Sequence, residues 1–568
     1  MNFLPWVSLF FSTLLASAVA TTPSQTTARR DSSTFVSTSG SDFVVNGSAF
    51  KYIGTNAYWL PTLNTNEDIW NSLANISALG IKVVRLWAFN DVDTIPVNGT
   101  WFQLVRNSTV SVNTGSNGLQ KLDTVIQMAE QQGLYVILSL TNNWYPLPLL
   151  NSTVPPINST AFDVTPGTNN TLPRNYLSNN YGGMDLYVRQ FGLETHDQFY
   201  TNESILTSFM NYTTQVVSRY VNSPSIFSYE LANDARCNST LPASASCTTE
   251  TITTWHATVA SHIRSIDPNH LISSGVGGYM CTNCPKLYPL TPAPAPVTSP
   301  LPGKKKRTVA PVTKEQILRE RSERRRRNRE AAKRAGTLVE DGVRVRGRWV
   351  STATKRQTTP SLGSMYDGSY GVDSQDISNI PDIGFSSFQL FPDQQSYGTD
   401  DPNLTPSQNV EQDGTQWITY QAQSATAVGK PAVLTGFGLV TQSNAPSFVP
   451  FNSTVAPFAS DNSSSNATYG VTNQQQADTY TTWLNTGIAA GLNGIVQYQW
   501  GQSNLTAAPG TTVSPPTTTG EQSTPSSPGQ SSTPSTTTGE SPNDGYSTTG
   551  SSTVQQVLGS AAQAIAAD

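Results

Sequence analysis

Residues 225–234 read SIFSYELAND, a short run rich in apolar and aromatic residues that ends on two polar side chains, Asn233 and Asp234. A segment of helical period precedes it over 204–221, and another follows over 252–266. Strand and helix alternating in this way form the unit of a parallel sheet, because the crossover helix carries the chain back to the edge where the next strand starts. The unit recurs in both directions. Runs of the same kind are KYIGTNAYWL (51–60), IKVVRLWAF (81–89), LYVILSLTNNW (134–144), HLISSGVGG (270–278), IGFSSFQLF (383–391), KPAVLTGFGL (430–439) and NGIVQYQW (493–500). Helices are predicted between them at Asn66 to Leu79, Leu119 to Gln132, Trp417 to Val428 and Gln474 to Ala490, with Gly80, Gly133, Gly429 and Gly491 as stop signals. Eight such strands predict an α/β protein of the (β/α)8 TIM-barrel type over residues 40–506; a doubly wound open sheet is the alternative.

Three stretches fall outside that pattern. The first twenty residues are apolar and close on Ala18-Val19-Ala20, which reads as a signal peptide too short for a membrane span. Residues 288–356, between the fifth and sixth strands, begin Pro-rich and turn strongly basic. From Lys304 to Arg356 nineteen lysines and arginines face six acidic residues, leaving fourteen against thirty-two elsewhere. Such a segment resembles a nucleic-acid patch, but export excludes that partner and a solvated insertion is expected. Residues 507–568 read as a low-complexity, disordered Ser/Thr/Pro-rich tail.

The compartment follows from the same features. About fifteen Asn-X-Ser/Thr acceptors, Asn46, Asn75, Asn107, Asn202, Asn211 and Asn238 among them, suit a secreted glycoprotein, extracellular or bound to a cell wall. Cys237, Cys247, Cys281 and Cys284 are then disulfide candidates. Three connectivities exist, and local pairing, Cys237 with Cys247 and Cys281 with Cys284, is expected. A four-thiolate zinc site is the weaker alternative, and neither metal nor cofactor is expected.

In a barrel the C-terminal strand ends face the site. They carry Arg85, Trp87, Asn142, Asn143, Trp144, Asn233, Asp234, Gln389, Phe391, Gly436, Tyr498 and Trp500. Amides and aromatic faces of this kind stack on sugar rings and hydrogen-bond their hydroxyls.

The stretches GTNAYW, VVRLWAFND, GLQKLD, LTNNW, YGGMDLYV, FYTN, SRYVNSP, ELANDARC, SIDPNHL, YDGSYGVDS and KPAVLTGFGL occur in that order. In them the chain resembles the endo-β-1,4-mannanase branch of glycoside hydrolase family 5. The resemblance implies a retaining mechanism with two glutamates, an acid/base after the strand-four Asn and a nucleophile at the end of strand seven. Asp234 stands at the first position and Gly436 at the second. It also places Gln389 and Phe391 where the family has His and Tyr, and Tyr498 where it has Trp. Arg85, which in the family supports the nucleophile, keeps its place without that partner. Glu230 reads as a structural partner, and Asp393 as the better candidate for a displaced carboxylate. The expected function is therefore binding of a polysaccharide, β-mannan or a related wall glycan, with hydrolysis lost or weak. An active mannan endo-1,4-β-mannosidase-like enzyme with relocated carboxylates and a structural wall mannoprotein are the alternatives.

Overall fold

The computed structural model describes residues 35–147, 176–290, 343–345, 348–350, 363–448, 470–507 and 537–567. The signal stretch and most of the basic insertion lie outside them. Eight parallel strands form one sheet: β1 (Tyr52–Asn56), β2 (Val83–Trp87), β3 (Tyr135–Ser139), β4 (Ile226–Glu230), β5 (Leu271–Ser273), β6 (Ser386–Leu390), β7 (Ala432–Phe437) and β8 (Gly494–Gln497). Their order is β5-β4-β3-β2-β1-β8-β7-β6. Between β5 and β6 the sheet closes on itself. Ser273 bridges Phe385 in parallel, Gly384 N donates to Ile272 O at 2.7 Å, and the Ser274 and Ser387 hydroxyls meet at 3.0 Å.

A principal helix follows each strand: α1 (Asn66–Ala78), α2 (Leu119–Gln131), α3 (Glu203–Tyr220), α4 (Thr249–Ile266), the short α5 (Ser374–Ser378), α6 (Pro406–Val428), α7 (Asn473–Ala489) and α8 (Ser552–Ala567), with three short helices, Tyr176–Asn179, Met184–Gln190 and Gln198–Thr201, ahead of α3. The strands are buried and mainly apolar because both faces are covered, by helices outside and by side chains within, with polar residues such as Arg85, Glu230 and Gln389 toward their C-terminal ends. Tyr52, Val83, Tyr135, Phe227, Leu271, Phe385, Val433 and Val496 form the inner cluster. Phe43, from an antiparallel meander of Ser37–Ser39, Asp42–Val45 and Ser48–Phe50, packs into it edge-on, 4.9 Å from Phe227 and 5.3 Å from Phe385. The barrel is thus a filled core whose other end is left for a site.

Two expectations are corrected. Helix α6 starts at Pro406, well ahead of Trp417. Thr405 and Gln408 form a capping box and Pro406 fills the first turn, so the start signal lay upstream of the apolar periodicity. The tail does not run as one disordered piece over 507–568. Leu505–Ala507 pairs antiparallel with Thr537–Gly539, and α8 buries Val554, Leu558, Ala561, Ala562 and Ile565 in the core shared with the other helices. Their spacing is that of one helix face. The stretch is the eighth barrel helix, reached after a Ser/Thr/Pro-rich excursion.

The basic insertion leaves and re-enters at a clamped stem. Met280 N donates to Met365 O at 2.8 Å, Cys281 bridges Asp367, and Cys281 is bonded to Cys284. Asp376 accepts from the amides of Leu287 and Tyr288 at 3.0 and 2.7 Å, and Lys286 pairs with Asp373. Deleting residues 300–354 should therefore move the thermal midpoint by less than about 2 °C. Removing 551–568 strips a helix from the core and should abolish the cooperative transition; calorimetry of the two proteins checks both.

Asp91, just after β2, is buried, with Gln103 Nε2 donating to Oδ1 at 2.7 Å and Oδ2 without a partner. Burial pushes its carboxyl from 3.8 up to about 8, against the opposing hydrogen bonds. The folded chain keeps a proton that the unfolded chain releases across this window, so this residue's contribution to stability falls as pH rises from about 4 to about 8. Asp91→Asn should raise the melting temperature, by a margin over the parent that grows between about pH 5 and pH 8.

Candidate functional site

At the C-terminal ends of the strands lies a cavity of about 300 Å³. Its floor begins with a buried ion pair. Arg85 on β2 donates from Nε to Glu230 Oε2 at 3.0 Å and from Nη2 to Oε1 at 2.5 Å, and the Ser139 hydroxyl donates to the same Oε1. A second bond from Arg85 Nη2 reaches Asn233 Oδ1 at 2.8 Å. Asn233 in turn donates to Asn142 Oδ1 at 2.9 Å, and Asn142 donates to Asn179 Oδ1 at 2.9 Å. Glu230 thus has the structural role expected of it.

Asp234, next along the chain, takes the left-handed backbone conformation at φ 60° and donates its amide to Gly275 O at 2.9 Å. Its Oδ2 accepts from Arg236 and from Trp144 Nε1, the latter at 3.3 Å, while Oδ1 is buried with no hydrogen-bond partner. The Arg236 guanidinium lies over three rings, 5.0 Å from Trp144 and 4.7 Å from both Tyr279 and Tyr370. Packed faces and a carboxylate leave this cation little freedom.

Across the cavity, Gly436 ends β7. A Cβ placed there would stand 3.2 Å from Phe391 Cζ and 3.4 Å from Cε2, so the Phe391 ring covers the face where a side chain would leave. Phe391 is held edge-on by Tyr498 at 5.6 Å and Tyr546 at 5.5 Å. The Tyr498 hydroxyl donates to Asp544 Oδ2 at 2.9 Å, as does Tyr58 at 3.0 Å. Burial pushes the Asp544 carboxyl above its ordinary value, and the tyrosine hydrogen bonds work against that rise.

A family model described as cellulase (glycosyl hydrolase family 5) matches residues 43–310. Mannan endo-1,4-beta-mannosidase A of Aspergillus aculeatus is 34% identical over 266 residues, 47% of this chain and 59% of its own length. The enzyme of the same name from Hypocrea jecorina is 35% identical over 260 residues, 46% of this chain and 50% of its own. Over these residues the chain is similar to glycoside hydrolase family 5. It spans roughly half to three-fifths of the length of these mannanase relatives. The endo-1,4-beta-mannanase structure of Rhizomucor miehei shares the barrel fold, with a TM-score of 0.55 at 22% identity over 94% of this chain and 100% of that one.

Of the residues predicted for the site, the barrel brings Arg85, Trp87, Trp144, Asn233, Asp234, Gln389, Phe391, Gly436 and Tyr498 to the cavity wall. Asn142, Asn143 and Trp500 are corrected: they are buried and do not line it. Asn142 braces Asn233. Asn143 accepts from the Arg236 amide at 3.1 Å and donates to Asn238 O at 3.1 Å, and Trp500 N donates to Asn56 O at 2.8 Å. Beyond the last paired residue of a strand the two-residue alternation lapses, so sequence could not tell wall from backing. Asp393 is corrected too: it is buried off the cavity and accepts from Val440 N at 2.9 Å. Both local disulfides are present.

Sequence reasoning missed Arg236, Tyr370, Asp544 and Tyr546. Arg236 lay two residues beyond the strand-end pair. Asp544 and Tyr546 sat in NDGYS, an Asp-Gly turn with a lone aromatic, behind a low-complexity stretch. Asp544→Ala would orphan two buried hydroxyls and should cost about 3 kcal/mol of stability, with Asp544→Asn costing less because it retains an acceptor. Urea unfolding of both variants measures the difference.

Proposed function

We propose that this chain is a secreted glycan-binding member of glycoside hydrolase family 5, holding a β-mannan-like polysaccharide in the barrel cleft with the two-carboxylate hydrolysis lost. One observation carries the reading: among the described residues that line the cavity, Asp234 is the only carboxylate. A retaining glycosidase needs a second one about 5 Å away to attack the anomeric carbon. The position that the resemblance assigns to it is Gly436, and Phe391 packs where the side chain would stand. Glu230 and Asp544 are the alternatives inside the barrel top. Both are buried off the cavity with their oxygens engaged by Arg85 and Ser139, or by Tyr58 and Tyr498.

The acid/base role assigned to Asp234 is weakened as well. It is shorter than glutamate by one methylene, and its Oδ2 is taken by Arg236 and Trp144. What remains suits binding. Trp144 and Tyr370 are the half-buried rings of the wall, and Asn233, Gln389, Gln394 and Gln395 offer amides. The names of the relatives supply the polysaccharide, β-mannan. The signal stretch, the acceptor asparagines and two disulfides support export.

The similarity to mannan endo-1,4-beta-mannosidases favours a second reading, a working mannanase with relocated carboxylates. Purified protein should bind β-1,4-mannohexaose saturably in calorimetry and release little or no reducing sugar from mannan. Gly436→Glu combined with Phe391→Ala, which vacates the space, should gain measurable hydrolysis. Robust parental hydrolysis that disappears in Asp234→Ala would overturn the non-catalytic reading.

A further inference from the structure

We propose that Asn238 carries an N-linked oligosaccharide that lies in the mouth of the cleft and competes there with external glycan; this rests on the secreted, glycan-binding reading above. Asn238-Ser239-Thr240 matches the acceptor pattern, and all three residues line the cavity. The contrast with other acceptors is one of place. Asn211 is exposed on α3, and Asn46 and Asn107 sit in turns at φ 53° and 50°.

The loop that carries Asn238 is rigid. Cys237 is bonded to Cys247 and donates its amide to Tyr370 O at 2.8 Å. Asn238 O accepts from Asn143 Nδ2 at 3.1 Å, and the Ser239 hydroxyl donates to Asp185 Oδ2 at 2.8 Å. The Asn238 side-chain oxygen is buried with no hydrogen bond, so the amide lines the cleft with its oxygen turned into the protein. A sugar linked to Nδ2 from this fixed base starts beside Trp144 and Tyr370, the rings that line the same cavity.

The linkage forms during export, before the loop closes. Asn238 Nδ2 bonds to the anomeric carbon of a lipid-pyrophosphate oligosaccharide, the bond from that carbon to the pyrophosphate oxygen breaks, and one amide proton is lost to the medium. The attached chain is rich in hexose rings, the same chemistry as the external ligand. Tethering presents it at an effective concentration of about 1 mM. With a dissociation constant of about 0.1 mM for the attached chain itself, an external chain would then bind about tenfold more weakly to the glycosylated protein.

The test compares full-length protein secreted by a eukaryotic host, the same sequence from a bacterial periplasm, and Asn238→Gln from the eukaryotic host. Glycopeptide mass spectrometry after enzymatic deglycosylation in heavy-oxygen water reads the modification without any ligand. Calorimetry with β-1,4-mannohexaose reads the occlusion. The proposal requires Asn238 to be occupied, with both unmodified proteins binding about tenfold more tightly. An unmodified Asn238 in the secreted protein overturns it, and so does equal affinity in all three. If none of the three binds, the polysaccharide reading falls and the occlusion with it, a result the mass data keep separate from an unmodified Asn238.

Discussion

The buried ion pair of Arg85 and Glu230 is the interaction on which the cleft depends. Two opposite charges inside a barrel cost several kcal/mol to desolvate, and they are tolerated only when their remaining donors and acceptors are met. Here they are met by Ser139 and Asn233. The demand propagates. Asn233 spends its carbonyl on Arg85, so its amide group turns to Asn142, and Asn142 turns to Asn179. Gln389 from β6 also donates to Asn233 Oδ1, at 3.3 Å. One charge pair thereby fixes side chains from β2, β4 and β6 and the loop after β3, the parts that must agree if a rigid polar cleft is to face a sugar.

The opposite wall is set by different means. After β8 the chain runs alongside its own later segment: Gln499 N donates to Tyr546 O at 3.2 Å, Ser541 N to Gln502 O at 2.9 Å and Gly501 N to the Thr548 hydroxyl at 3.0 Å. This docking carries Asp544 beneath Tyr498 and Tyr58, and Tyr58 stacks on Trp87 at 5.7 Å. The ring faces of the cleft are therefore tied to residues far along the chain, and α8 anchors that segment in the barrel. Rings held at both edge and hydroxyl have few alternative rotamers, so this wall is pre-ordered.

How much of this was legible depends on the signal each element carries. The barrel strands were readable because burial on both faces leaves predominantly apolar runs. The cysteine pairs were readable because each lies in one short loop. Helix α8 was not, since the composition of the preceding stretch outweighed a periodicity carried by alanine and a few larger residues. Asp544 was hidden for a related reason: a lone carboxylate in a polar segment gains meaning only from two tyrosines, one of them more than four hundred residues earlier in the chain. Asn142, Asn143 and Trp500 had the right address and the wrong orientation.

The altered positions make sense as one repacking more than as separate losses. A glycine at 436 leaves a void that water or a neighbouring side chain must fill. Phe391 fills it, and its ring is then gripped by Tyr498 and Tyr546, which gives an aromatic cluster that a glutamate at 436 would have to displace. Restoring a carboxylate alone would require the Phe391 ring to give by a few tenths of an ångström against Tyr498 and Tyr546, whereas removing Phe391 alone would open a cavity. Residues in contact of this kind are strongly coupled, so each single step costs more than the pair. Phe391 over Gly436 therefore closes the β7 side of the cleft with an aromatic wall, and among the described lining residues Asp234 faces no second carboxylate across it.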